Sequence, residues 1–180
     1  SGPAINPAVK KPFFNLPPMT KGMLLTLIAV QFLLSFAVDP AMRFDLYNRF
    51  GFVPAAFTGG VPFTPLVLVT PLTYMLLHGG WMHLAMNGLM LMAFGAGVER
   101  WIGARRLLVF CVLCGIISAF VQLALGPRSL EPVIGASGAL SGLFAAVLVM
   151  LNQMRSRAGM ATARMLPLVI VWVLITVGSG

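Results

Sequence analysis

The chain has 180 residues, which is enough for one domain. Hydrophobic residues make up 59% of it and charged residues only 9%, far below the roughly 25% that soluble domains carry. The net charge is +8, but the basic residues form neither a block nor a stripe interleaved with aromatic residues, so nucleic acid is not an indicated partner. The composition therefore predicts an integral membrane protein whose solvent is the lipid bilayer.

Five apolar stretches are candidates for transmembrane helices, because a bilayer crossing takes about 20 apolar residues. They cover residues 22–38, 82–98, 107–125, 137–151 and a stretch from 165 that is still apolar at 177. The prolines before the first stretch, and its length, favour an uncleaved helix over a signal peptide. We expect residues 1–21 to form an N-terminal tail and residues 22–180 to form one all-α, polytopic membrane domain.

The basic residues are distributed unevenly among the gaps between these stretches. Three lie in the tail, three between the second and third stretches and three between the fourth and fifth, whereas the two other gaps hold two and one. Because positively charged loops stay in the cytoplasm, this pattern predicts a cytoplasmic N-terminus. The simple alternation, without a transit peptide, is typical of a bacterial inner membrane protein.

The long connection after the first stretch, residues 39–81, mixes aromatic and charged side chains. This mixture predicts short helices that lie in the outer membrane interface. An aromatic belt that anchors a plain loop is an alternative that the sequence leaves open.

Polar residues of two different stretches are predicted at the same membrane depth. His83 and Asn87 are four residues apart near the outer start of the second stretch, and hence on one helix face. Ser137 opens the fourth stretch on the same side. Polar groups at such depth are costly and are candidates for function. A serine at the positive end of a helix, with nearby donors for an oxyanion, is typical of acyl transfer.

Small residues surround Ser137 in the stretch "VIGASGALSGLF". Gly135 permits a tight turn into the helix, and Gly138 leaves room for a substrate backbone. Gly138 and Gly142 also form G-x-x-x-G, the spacing by which membrane helices pack closely. Under that reading Ser137 only bonds backbone carbonyls and the second-stretch polar pair is an interhelical clamp; the two readings are compatible and both stay open.

The two cysteines, Cys111 and Cys114, lie inside the third apolar stretch. Their C-x-x-C spacing occurs in redox proteins, but a single such pair inside a membrane segment favours two buried apolar thiols. The sequence contains no convincing cluster of metal ligands, so neither a metal nor a cofactor is predicted.

Three motifs, "HGGWMHLAMN" (78–87), "ERWIG" (99–103) and "GASG" (135–138), occur in an order and at separations that resemble the rhomboid family of intramembrane serine proteases. The resemblance covers residues 20–177. It implies a bundle of six core helices, about five of them in this chain, with a long first loop in the outer interface. It also implies cleavage of single-pass transmembrane proteins near the outer membrane face, without a cofactor.

The resemblance assigns roles residue by residue. Ser137 would be the nucleophile, and His83, Asn87 and the Ser137 amide would surround the oxyanion. The motif residues implied to be structural are Gly135, Gly138, His78, Glu99 and Gly103. His78 would be a structural residue of the first loop; the alternative is that it is a partly exposed histidine in the membrane interface. Glu99 and Gly103 would stabilise the cytoplasmic end of the second helix.

One departure concerns the general base, which in this family is a histidine on a sixth helix. Both histidines of this chain precede Ser137. The simplest interpretation is that the chain is truncated and inactive while its parent is a protease; His83 as the base is an alternative. Two other hypotheses are a catalytically inactive rhomboid-like protein that binds transmembrane helices and an unrelated channel or transporter subunit. The sequence defines neither the substrate nor the oligomeric state.

Overall fold

The computed structural model describes residues 15–161 and 165–178; most of the predicted N-terminal tail, residues 1–14, lies outside the described residues. This part of the chain is helical, without a strand, and the predicted all-α fold is confirmed. Its long helices are α1 (Pro18–Phe36), α2 (Pro40–Phe50), α3 (Trp81–Ile102), α4 (Ala104–Leu125), α5 (Ser137–Arg157) and α6 (Leu166–Gly178).

Four of these helices, α1, α3, α4 and α5, are long and apolar enough to cross a membrane. The chain is therefore a multi-pass membrane protein, as predicted. The fifth predicted crossing corresponds to α6, which has 13 residues and is shorter than the other four helices. Its length of about 20 Å is less than the roughly 30 Å of a bilayer's hydrocarbon core.

The amino end of α1 is bonded to a side chain of another helix. Its N-cap position, Pro17, makes no side-chain cap. Instead, the backbone N–H of Met19 donates to Oε1 of Glu99 at 3.0 Å, and the N–H and hydroxyl of Thr20 donate to Oε2, each at 2.7 Å. The Glu99 carboxylate thus serves the free donors that every helix start leaves, and it ties α3 to α1.

Helices α4 and α5 approach each other closely where α5 carries glycines. A Cβ atom at Gly138 would lie 2.5 Å from the hydroxyl oxygen of Ser118, and one at Gly142 would lie 2.8 Å from Cβ of Cys114. The close packing that G-x-x-x-G predicts is therefore present. Cys111 is buried, Cys114 is half-buried, and both are free thiols.

The long connection between α1 and α3 contains the short helices that the sequence predicts. Asp39 caps α2 by accepting from the N–H of Met42 at 2.9 Å, and α2 buries none of its residues. Short 3₁₀ and α turns follow at Pro54–Phe57, Pro65–Val69, Thr70–Thr73 and Tyr74–Leu76. The membrane face at which this connection lies stays a prediction.

Candidate active site

Helix α3 presents two polar side chains on one face near its start. Asn87 is buried, with 5% of its surface exposed, and His83, one turn earlier, is half-buried. Residues four apart on a helix lie on the same face, so both side chains point towards the same neighbouring elements.

Ser137 is the first residue of α5, and it is exposed. The first hydrogen bond of the helix runs from the N–H of Leu140 to the carbonyl of Ala136 at 3.0 Å. The helix itself therefore does not use the N–H groups of residues 137–139, and the positive end of the helix dipole lies beside the Ser137 side chain.

Gly135, in the loop before α5, passes close to the two polar side chains of α3. Its φ is +114°, a conformation that side chains rarely adopt, and a Cβ there would lie 2.9 Å from both Cε1 and Nε2 of His83. The same atom would be 3.5 Å from Nδ2 of Asn87. Only a glycine lets the chain pass so close to the α3 side chains two residues before Ser137.

The structure therefore brings together the three side chains that the sequence singled out on different helices. His83, Asn87 and Ser137 line one cavity of about 490 Å³. This volume is within the range of about 300–1,000 Å³ that is usual for ligand sites.

Two of the side chains that line this cavity carry hydrogen-bond donors. Nδ2 of Asn87 is buried and has no hydrogen-bond partner among the described residues. Nδ1 of His83 accepts from the N–H of Gly79 at 3.5 Å, the outer limit of a hydrogen bond. A neutral imidazole that accepts at Nδ1 carries its proton on Nε2, the atom beside Gly135. Both side chains can therefore donate towards a group bound next to Ser137.

The long connection supports the segment that leads into Ser137. Phe52 and Val133 form an antiparallel bridge, with N–H to carbonyl distances of 3.0 and 2.8 Å. The N–H of Gly135 donates to the carbonyl of Tyr74 at 2.9 Å, and the Tyr74 hydroxyl donates to the carbonyl of Gly115 at 2.8 Å. Phe52, Val133 and Tyr74 carry no recognisable sequence signal, because nothing in a local pattern marks an aromatic residue as a partner of a distant loop.

His78 is buried next to His83. None of its surface is exposed, its ring lies edge-on to that of His83 at 5.1 Å, and its carbonyl accepts from the Tyr47 hydroxyl at 2.7 Å. Burial, and next the proximity of His83, lower the pKa of His78 to about 4. The alternative of a partly exposed interfacial histidine is therefore wrong, since the surrounding loop covers the ring.

Glu99 and Gly103 are remote from this cavity. Glu99 lies 16 positions after His83 on α3, about 24 Å along the helix axis. Gly103 makes the turn between α3 and α4 with a φ of +90°. Both therefore belong to the opposite end of the bundle, where Glu99 caps α1.

Gln122 of α4 and Trp172 of α6 are among the other residues that line the cavity, and no sequence motif marks either of them. Trp172 stacks on Phe144 with ring centroids 4.5 Å apart, and its Nε1 donates to the hydroxyl of Ser141 at 3.1 Å. The described residues contain no group of three or more His, Cys, Asp or Glu side chains that could hold a metal.

The fold and this cavity define a polytopic helical membrane protein with a serine at a helix start, flanked by histidine and asparagine donors from a second helix. Residues 67–180 match the family model described as "Rhomboid domain". The chain belongs to the rhomboid family, and the resemblance inferred from its motifs is confirmed.

Relatives with this family name occur in bacteria and in a plant. The chain is 39% identical over 77 residues to Rhomboid protease GluP of Bacillus subtilis (strain 168). This aligned part covers 43% of the chain and 15% of that protein. It is 37% identical over 87 residues to Putative rhomboid protease YdcA of the same organism, 46% of the chain and 40% of that protein. RHOMBOID-like protein 5 of Arabidopsis thaliana is 36% identical over 72 residues, 40% of the chain and 23% of that protein. The matched part thus spans less than half of the length of each relative.

Proposed function

We propose that the protein containing this chain is an intramembrane serine protease with Ser137 as its nucleophile. The observation that carries the proposal is the shared cavity of Ser137, His83 and Asn87, which come from two helices. Membership of a family whose relatives are named rhomboid proteases supports the same chemistry.

In the proposed reaction the Ser137 oxygen attacks a peptide carbonyl as its proton passes to the general base, and the carbonyl oxygen becomes an oxyanion. The C–N bond then breaks, the amine leaves with that proton, and water hydrolyses the acyl-serine that remains. The free N–H at the start of α5, Nδ2 of Asn87 and Nε2 of His83 are the donors around it. The buried, unpartnered Nδ2 supports this role, because its hydrogen-bonding capacity is unused in the described chain. Loss of one such donor costs about 10²–10³-fold in rate.

The general base is proposed to be a histidine outside this sequence, as the family resemblance implies. A base must offer a lone pair to the serine hydroxyl. His83 bonds Gly79 through Nδ1 and so holds a proton on Nε2, which suits a donor. His78 is buried and is not among the residues that line the cavity. Neither residue is therefore our candidate for the base, and the chain by itself is proposed to be inactive or nearly so.

The substrates are proposed to be single-pass transmembrane proteins, cut near the outer membrane face. The charge distribution supports a cytoplasmic N-terminus and a cavity that opens to the periplasmic or external side, in a bacterial inner membrane. In this orientation Ser137 and the connection that supports it lie in the outer leaflet.

Labelling with a fluorophosphonate probe tests the proposal in the full-length protein. We expect covalent labelling that Ser137→Ala abolishes and that Asn87→Ala slows on the order of 100-fold. Ser156→Ala is a matched control, because Ser156 is an exposed serine near the other end of the same helix. If a folded full-length protein resists the probe and Ser137→Ala leaves its interactions with transmembrane segments unchanged, the protein is a non-catalytic binder of transmembrane helices instead.

A further inference from the structure

A second concave site lies at the opposite end of the bundle from Ser137. It is a groove of about 480 Å³ along the first half of α4, with one residue from the end of α3. Its lining residues are Ile102, Arg105, Arg106, Val109, Phe110 and Leu113. The groove shares no residue with the Ser137 cavity and plays no part in the proposed protease chemistry.

The two arginines of the groove are available to a ligand. Within the described chain, Arg100 donates to the carbonyl of Asn15 at 2.9 Å and Arg155 donates to that of Ala161 at 3.1 Å. By contrast, Arg105 and Arg106 are exposed, and neither has a hydrogen-bond or ion-pair partner among residues 15–161 and 165–178. Two unpaired arginines that line one groove can bind a phosphate through several donors.

The rest of the groove is apolar and follows a membrane helix. Val109 and Leu113 are 50% and 53% exposed, and they lie one turn apart on α4. From Arg106 to Leu113 the helix rises about 10 Å, most of one leaflet of a hydrocarbon core about 30 Å thick. A ligand that fills this groove would carry an anionic group beside the arginines and an apolar chain along α4.

We propose that this groove binds one anionic phospholipid, with its phosphate on Arg105 and Arg106 and an acyl chain along Val109 and Leu113. The charge of the groove, its length and its position on a membrane-crossing helix all match this ligand. Arginines that serve only to orient the chain in the membrane need no apolar groove beside them. The groove therefore favours lipid binding over a role of these arginines in membrane orientation alone.

Native mass spectrometry of the complete chain in detergent, with phosphatidylglycerol and phosphatidylcholine of identical acyl chains, tests the proposal. We expect one retained phosphatidylglycerol in preference to phosphatidylcholine. Arg105→Gln with Arg106→Gln should weaken its binding on the order of 30-fold, at about 1 kcal/mol for each arginine near the membrane surface. Arg155→Gln with Arg157→Gln removes the same charge from α5 as a control and should change the binding less than threefold.

A second variant tests the apolar part, and it serves where the arginine variant does not fold. Leu113→Trp fills the groove while keeping both charges, and we expect it to weaken phosphatidylglycerol binding at least tenfold. Equal retention of the two lipids, or equal losses in the two double arginine variants, would overturn the proposal. Displacement of the lipid by glycerol phosphate alone would show a site for a free phosphate and would also overturn it.

Discussion

We expect Glu99→Gln to destabilise the helix bundle strongly. Glu99 is about 24 Å along α3 from His83, so this effect does not depend on contact with the Ser137 cavity. The carboxylate is 5% exposed and accepts three hydrogen bonds, one from Met19 and two from Thr20. Hydrogen bonds to a charged group contribute about 1.5–3 kcal/mol each, whereas neutral ones contribute about 0.5–1.5 kcal/mol. The loss therefore concerns both the number and the strength of the bonds.

The magnitude follows from the two carboxylate oxygens. An amide at position 99 keeps one acceptor oxygen, which can serve the two Thr20 donors, and turns an NH₂ group towards the N–H of Met19. One charge-assisted bond is then lost, and two others become neutral and weaker by about 1 kcal/mol each. We therefore expect Glu99→Gln to lower the free energy of unfolding by roughly 4 kcal/mol. Thr20→Val removes only the hydroxyl donor to the carboxylate and should cost about 1.5–3 kcal/mol.

Unfolding in mixed detergent micelles with increasing dodecyl sulfate, followed by far-ultraviolet circular dichroism, measures both variants. Glu131→Gln is the control, because Glu131 is exposed in the loop before α5 and its loss should cost less than about 0.5 kcal/mol. In the Glu99→Gln background, Thr20→Val should cost less than in the parent, since the two residues share a bond. Equal stability of the two glutamine variants would refute the capping role of Glu99.

Three further predictions concern the site and its support. Gly135→Ala places a Cβ 2.9 Å from the His83 ring at a φ of +114°, and it should slow fluorophosphonate labelling of the full-length protein on the order of 100-fold; the backbone strain alone costs about 1–3 kcal/mol. Burial lowers the pKa of His78 from its usual value of 6.5 to about 4 in the folded protein. Stability should therefore fall by roughly 3 kcal/mol as the pH falls from 7 to 4, at about 1.4 kcal/mol per pKa unit, and His78→Asn should flatten this part of a pH series of unfolding curves. Gly142→Ala brings a Cβ against Cys114 and should lower the free energy of unfolding by about 1–3 kcal/mol, of which Cys114→Ala should recover at least half.

Each of these predictions has an outcome that contradicts it. Gly159 also has a positive φ, +70°, but open space around its Cβ position, so Gly159→Ala isolates the strain from the clash. An equal effect of the two Gly→Ala changes on labelling would refute the contact with His83. An unchanged pH dependence in the His78 variant would assign the titration elsewhere. A Cys114→Ala change that fails to rescue Gly142→Ala would show that the two helices are not in contact there.

The apolar helices and the two polar residues on one face of α3 could be predicted because both depend on local patterns. Hydrophobic length identifies α1, α3, α4 and α5, and the start of α5 follows from the small residues before its apolar run. Helix periodicity places His83 and Asn87 on one face. Their meeting with Ser137 is consistent with the common direction of α3 and α5 that the alternation of basic residues predicts, but that α3 and α5 are neighbours is a tertiary contact that no local pattern predicts.

The interior of the long connection could not be predicted, because its structure depends on residues far away in the chain. Phe52 pairs with Val133 and Tyr74 with Gly135, across separations for which no spacing rule exists. The mixture of aromatic and charged residues predicts the surface helix α2 but does not distinguish it from the turns after it, of which Pro54–Phe57 and Thr70–Thr73 contain buried residues. The cap that Glu99 provides to α1 is likewise a contact between elements, and only the family motif pointed to that residue.

The hydrogen bonds of the connection explain how the turn next to Ser137 is held in one conformation. Glycine adopts a φ of +114° without strain, but its conformational freedom leaves the turn at Gly135 undefined unless the chain on both sides is held. On one side the Phe52 bridge fixes Val133, and on the other α5 begins at once with Ser137. The N–H of Gly135 itself is fixed by the carbonyl of Tyr74, whose side chain is anchored on α4. The position of the Ser137 hydroxyl therefore depends on the outer connection as much as on the helix that carries it, because the connection holds the turn from which that helix starts.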